Sequence, residues 1–198
     1  MNVRKHIVID RDGVISHKRS GRAIESWEEF EFLPHALEGL QLLTDAGFEL
    51  IVIANQACAA DGRLGVNGVE ALTRRMQTEV ALSGGRIAAT YYCRHGGKDR
   101  CECRMPKAGL LLRARLDCGF EPSRTFFIGA SDVDLTAAVR LGHPAIRVKR
   151  TVFLDPDRPL GAGNVVSNLL EAAEFVLYRN ARSLGAGRAP LPRAEQNC

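Results

Sequence analysis

The sequence predicts an α/β fold: a doubly wound, Rossmann-like parallel sheet with helices on both faces. Three features carry this expectation. Short apolar runs that read as buried strands alternate along the chain with stretches of helical periodicity. Gly47, Gly119 and Gly142 stand where helices have to stop. Asp10, Asn55, Cys93 and Gly129 each fall just past an apolar run. That delivers polar or turn residues from several strands to the carboxyl edge, where such sheets bind ligands.

The elements follow in order. His6 to Ile9 is a short strand ending in Asp10, with Gly13 at the turn beyond it. Residues 16 to 32 are polar and irregular, anchored by Trp27, Phe30 and Phe32. Pro34 opens a helix, since its missing N–H has no partner in a first turn anyway. Leu37, Leu40 and Leu43 stripe that helix, and Gly47 closes it. Phe48 to Ile53 is the second strand. A glycine-rich loop with Gly62, Gly65 and Gly68 follows, and Asn67 is placed to cap a helix running to Leu82. Ala88 to Cys93 is the third strand, and after a cysteine-rich loop Pro106 to Leu116 is helical. Thr125 to Ile128 is the fourth strand, entering Gly129, and Leu135 to Leu141 a helix. Ala145 to Val148 is the fifth strand and Val165 to Tyr178 a last amphipathic helix. One domain is expected over 1–180. The Arg-, Gly-, Ala- and Pro-rich remainder, 181–198, is expected to be a disordered tail.

The chain has 198 residues, 45% hydrophobic and 25% charged, which is ordinary for a globular domain. Its net charge of +4 is mild and its aromatic content only 6%. No nucleic-acid partner is expected, because that needs clustered charge and a recognisable module. No apolar stretch approaches the ~20 residues of a membrane span, so no membrane partner is expected either. Arg4, Lys5 and His6 lead into the first strand without an apolar signal region. The expected setting is the cytoplasm, where thiols stay reduced, so the six cysteines are not read as disulfides.

Two groups of residues carry chemistry. Asp10 and Asp12 set two carboxylates two residues apart after an apolar strand. One carboxylate can attack phosphorus, while a second protonates the leaving oxygen and later activates water. Such a pair also favours Mg2+. The same pattern is also what a polar turn after a strand would show. The second group is Cys93, His95, Cys101 and Cys103. Three thiolates and an imidazole suit a closed, structural tetrahedral Zn2+ site. Arg104, next in the chain, would be fixed by such a loop, and a guanidinium can hold a phosphate bidentately.

With these residues the chain resembles the haloacid dehalogenase superfamily. More narrowly it resembles the small-capped branch of D-glycero-D-manno-heptose bisphosphate phosphatases and histidinol phosphatases. Asp10-Arg11-Asp12-Gly13-Val14-Ile15 matches that branch's first motif, and Trp27 through Phe32-Leu33-Pro34 the stretch leading into its first helix. Asn55-Gln56 matches its second-motif loop, the cysteine cluster its zinc loop, and Arg104, Pro106 and Gly109 the segment after it. The likeness covers roughly residues 6 to 150. It implies a Mg2+-dependent phosphatase with a minimal cap, acting on a small phosphorylated sugar. Asp10 would be the nucleophile and Asp12 the general acid/base, both helping to hold Mg2+, Asp12 through its carbonyl. Asn55, Gln56 and Arg104 would contact substrate.

Three positions depart from the pattern. Ala54 stands where the family has Thr or Ser, Met105 where it has Lys, and Ala130 where it has a metal-binding Asp. Lys107 is a candidate stand-in for the lost ammonium, and otherwise a surface lysine. Asp134 matches the family's second acid in the fourth motif and is a candidate Mg2+ ligand. Asp132 is an extra carboxylate or a helix N-cap. Without the lost groups, the alternative is an impaired relative that binds a phosphorylated ligand or a protein partner.

Overall fold

The computed structural model describes residues 5–17, 24–56, 65–96, 98–149 and 164–183. Their elements run β1 (Lys5–Asp10), α1 (Ala36–Asp45), β2 (Phe48–Asn55), α2 (Gly65–Leu82), β3 (Ile87–Cys93), α3 (Gly109–Cys118), β4 (Phe126–Gly129), α4 (Asp132–Arg140), β5 (Ala145–Val148), β6 (Val165–Val166) and α5 (Leu169–Ser183). The strands form one sheet in the order β3-β2-β1-β4-β5-β6, with every pairing parallel.

Strand residues alternate between faces, and each face has its own core. Ile7, Ile9, Leu50, Val52 and Ile128 pack against Leu40 and Leu43 of α1, Met76 of α2 and Ala172 of α5. Val8, Ile51, Ile53 and Phe127 point the other way, onto Leu111 of α3 and Ala138 of α4. Strands buried on both sides read as continuous apolar runs, and that is how they stood out in the sequence. On the first face, α1 meets α5 closely enough that a Cβ on Gly39 would lie 2.7 Å from the Leu169 carbonyl carbon.

Several boundaries differ from expectation, each for a local reason. Helix α1 begins at Ala36, because His35 takes a left-handed conformation (φ 62°) at the N-cap. Asn67 lies inside α2, which starts at Gly65. Helix α3 starts at Gly109, three residues after Pro106, where the Gly109 N–H turns back to the Glu102 carbonyl at 3.1 Å. Helix α4 starts at Asp132 because Ser131, not Asp132, is its cap. Val165 and Val166 form a sixth, edge strand instead of opening the last helix. Asn168 then caps that helix, its Oδ1 accepting from the Glu171 N–H at 3.0 Å. Helix α5 runs to Ser183, so 181–183 are helical, while 184–198 lie outside the described residues, as do Gly62 and most of its loop. Trp27 stacks on Phe30 at 5.0 Å and lies 4.8 Å under the Arg75 guanidinium, which anchors residues 24–33 to α2. Among the described residues no helix is long and apolar enough to cross a membrane.

Candidate active site

Four neighbouring strands end at one edge on the residues marked in the sequence. Asp10 is the last residue of β1, Asn55 of β2, Cys93 of β3 and Gly129 of β4. The chain builds outward from β1 to β3, then returns to place β4 on the other side of β1. The crevice at such a reversal is where doubly wound sheets bind ligands. Asp10 stands at it, only 4% exposed.

The chain turns back directly after Asp10. The Arg11 N–H donates to the Ile53 carbonyl at 2.9 Å, and the Arg11 carbonyl accepts from Ile15 and Ser16 N–H groups, both at 3.0 Å. Gly13 supplies a left-handed turn at φ 96° that a side chain would strain. In an extended strand, neighbouring side chains point to opposite faces. Here the strand has ended, so Arg11 and Asp12 can meet. Arg11 Nε donates to Asp12 Oδ1 at 2.8 Å and Nη2 to Oδ2 at 3.0 Å. Ser16 Oγ adds a bond to Oδ1 at 3.3 Å.

At the end of β2, the Gln56 N–H donates to the Cys93 carbonyl at 2.7 Å, and Gln56 is wholly buried. Asn55 Oδ1 accepts the Met105 N–H at 3.3 Å, which ties the segment after the cysteine cluster to the strand ends. The three departures from the family pattern are built into the packing. Ala54 is buried, Met105 packs with Val8, Ile51, Ile53 and Leu111, and Ala130 lies against the opposite core.

The candidate stand-ins have partners of their own. Lys107 Nζ pairs with Glu102 at 2.7 Å and donates to the Arg100 carbonyl at 3.3 Å. Asp132 pairs with Arg147. The Asp134 carboxylate is buried and accepts the Ser131 hydroxyl.

Cys93, His95, Cys101 and Cys103 do come together, with all four ligand atoms within 4.8 Å of one another, and could hold a metal ion. Cys93 Sγ lies 3.6 Å from His95 Nδ1, 3.6 Å from Cys101 Sγ and 3.2 Å from Cys103 Sγ. A tetrahedron of thiolates around zinc has edges of about 3.7 Å, so the donor set fits that ion in both chemistry and spacing. Burial pushes the Cys93 thiol up to about 12, and the adjacent Cys103 adds to the effect. A bound cation would reverse that, since metal ligation takes the deprotonated form. Arg104 Nη1 donates to the His95 carbonyl at 3.1 Å, so the loop does orient this guanidinium.

Mg2+ fits less well. It prefers near-octahedral oxygen, including one or two carboxylates. Asp10 and the Asp12 carbonyl stand at the strand end, but the third ligand position is Ala130. The Asp12 and Asp134 carboxylates are engaged by Arg11 and Ser131. The residues as arranged do not complete a Mg2+ site.

Sequence reasoning missed Arg11, Ser16 and Ser131. Arg11 had a signal, a cation between two carboxylates, but its partner depends on the turn.

No family model matches the chain. A D-glycero-beta-D-manno-heptose-1,7-bisphosphate 7-phosphatase of Pseudomonas aeruginosa is 32% identical over 181 residues, covering 89% of this chain and 99% of that protein. One from Pseudomonas putida is 34% identical, covering 73% of this chain and 82% of its own. The crystal structure of D,D-heptose 1,7-bisphosphate phosphatase from B. bronchiseptica, complexed with magnesium and phosphate, superposes with a TM-score of 0.79 at 27% identity. It covers 88% of this chain and 99% of that one.

Proposed function

The chain belongs to the haloacid dehalogenase superfamily, in its heptose bisphosphate phosphatase branch, and from that premise we propose that it is a phosphohydrolase of small phosphorylated sugars. The reading rests above all on Asp10, a buried carboxylate at the end of a central strand and at the sheet's reversal point. Its oxygen attacks phosphorus as the bond to the sugar oxygen breaks, leaving an aspartyl phosphate. Asp12 gives its proton to the departing oxygen. It then takes one from the water that attacks phosphorus, which releases inorganic phosphate and restores Asp10. Arg104 binds phosphate, and the Asn55 and Gln56 amides orient the ligand. Cys93, His95, Cys101 and Cys103 would hold Zn2+ in a structural role, because four protein ligands leave no open position. So held, the loop that carries Arg104 would be fixed. Lys107 is paired with Glu102, and Ser131 engages one oxygen of Asp134, which leaves the other for a metal.

Turnover is slow on this reading. Phosphoryl transfer depends on positioning and electrostatic stabilisation, and one preorganised donor is worth on the order of 10² to 10³ in rate. Ala54, Met105 and Ala130 supply none. Phosphate release from a panel of sugar mono- and bisphosphates, with Mg2+ or with a chelator, tests the proposal, with Asp10→Asn as the blank. Release above the blank is expected; release no faster than the blank would sink it. The packing of those three residues favours a second reading, a phosphate binder without turnover. Saturable sugar-phosphate binding at the blank rate would favour that one.

A further inference from the structure

Arg11 is the most deeply buried cation at the carboxyl edge, 2% exposed, and it directly follows Asp10. Burying a guanidinium is expensive unless its charge is compensated. Among the described residues its side-chain hydrogen bonds both go to Asp12, from Nε and Nη2. The guanidinium carries five N–H donors, so these two bonds use only part of it, and Nη1 has no acceptor among the described residues. Meanwhile the position where the family keeps a lysine holds Met105, which is turned into the core behind β1 and β2. The site's expected ammonium is gone, while a fixed cation with uncommitted donors is held on Asp12, next in the chain to Asp10.

We propose that Arg11 binds the phosphoryl group, its guanidinium supplying the charge that Met105 cannot, while its fork on Asp12 keeps that carboxylate in place. A planar, permanently charged fork can serve two anions at once, a carboxylate along one edge and phosphate oxygens along another. The inference rests on the phosphate-site reading above but adds a ligand contact that this reading does not need.

The test uses inorganic phosphate as the probe, on the full chain with its metal loop intact. Calorimetric titration should give a saturable Kd that weakens at least tenfold in Arg11→Met and stays within about fivefold of the parent in Arg11→Lys, which keeps the charge. In the unmodified protein, phosphate should also shift the Arg11 guanidinium nitrogen resonances, a readout that stands even if Arg11→Met fails to fold. A folded Arg11→Met with parental affinity, or Arg11 resonances unmoved while phosphate binds saturably, would overturn the role of Arg11 and leave the phosphate site standing. No saturable binding to the parent would overturn both.

Discussion

At Met105 the difference between this site and its expected pattern has a structural cause. The side chain is 3% exposed and fills the core between β1, β2 and α3, so its replacement by lysine removes buried apolar surface. Met105→Lys is expected to lower stability by about 1.5–3 kcal/mol, as read by denaturant unfolding. Combined with Ala130→Asp and assayed with Mg2+, it should raise phosphate release on the order of 10²-fold over the parent, since the lysine restores an ammonium and the aspartate a metal ligand. No gain from the double variant would mean that the surrounding packing has diverged too far for those charges to act. The candidate site was legible at this scale where chemistry lies in local spacing. Asp10 with Asp12, and the Cys–His cluster, are short-range patterns. The stand-ins were not legible. Lys107 and Asp134 sit at plausible positions, but Glu102 and Ser131 claim them through contacts that only folding creates. The Arg11–Asp12 fork was hidden for the same reason, because the turn at Gly13 brings the pair together.

The cysteine loop is the element on which the site depends. Beyond Cys93 its described residues have no sheet pairing, yet it carries Arg104 and packs hard against the start of α3. A Cβ on Gly109 would come within 2.4 Å of the Glu102 carbonyl oxygen and 2.8 Å of Cys103 Cα, all backbone atoms. Gly109→Ala must therefore push Cys103 away from its three companions. Metal analysis of the purified variant should find well under one tightly bound zinc per chain, against about one for the parent. Retention of full zinc would show that the loop can move without losing its ligands. Element boundaries were the less legible part. Pro34 and Pro106 both precede their helices by more than the sequence implied, since a proline fixes its own φ but not where the ladder of hydrogen bonds begins. Residues 165 and 166 are too short a run to be told from a helix start, and only pairing with β5 makes them a strand.

Across the molecule, a parallel sheet with helices on both faces follows from the alternation of strands and helices that the sequence carries openly, so the fold class was legible before any coordinate, while the strand order was not. Less visible is how the second core is closed at His143. Its Nδ1 donates to the Thr125 carbonyl at 2.8 Å, while Nε2 is buried without a hydrogen-bond partner among the described residues. Burial holds this imidazole below its usual 6.5, opposed by the Thr125 carbonyl. The folded state therefore resists protonation that the unfolded chain accepts. The stability from neutral His143 is fully present above about 6.5 and is lost as pH falls from there through the depressed folded value. Thermal unfolding should show a falling limb below that point, flattened in His143→Gln. An identical limb in the variant would assign it to other groups.

The central claim, that Asp10 at the reversal point of the sheet carries the phosphoryl group, has a direct test. The protein is mixed with a sugar bisphosphate, quenched in acid and treated with tritiated borohydride, which converts an aspartyl phosphate to labelled homoserine. Peptide mapping should place the label at position 10 in the parent chain and find none in Asp10→Asn. Phosphate release above the blank with no label at position 10, or with label on another residue, would contradict the account.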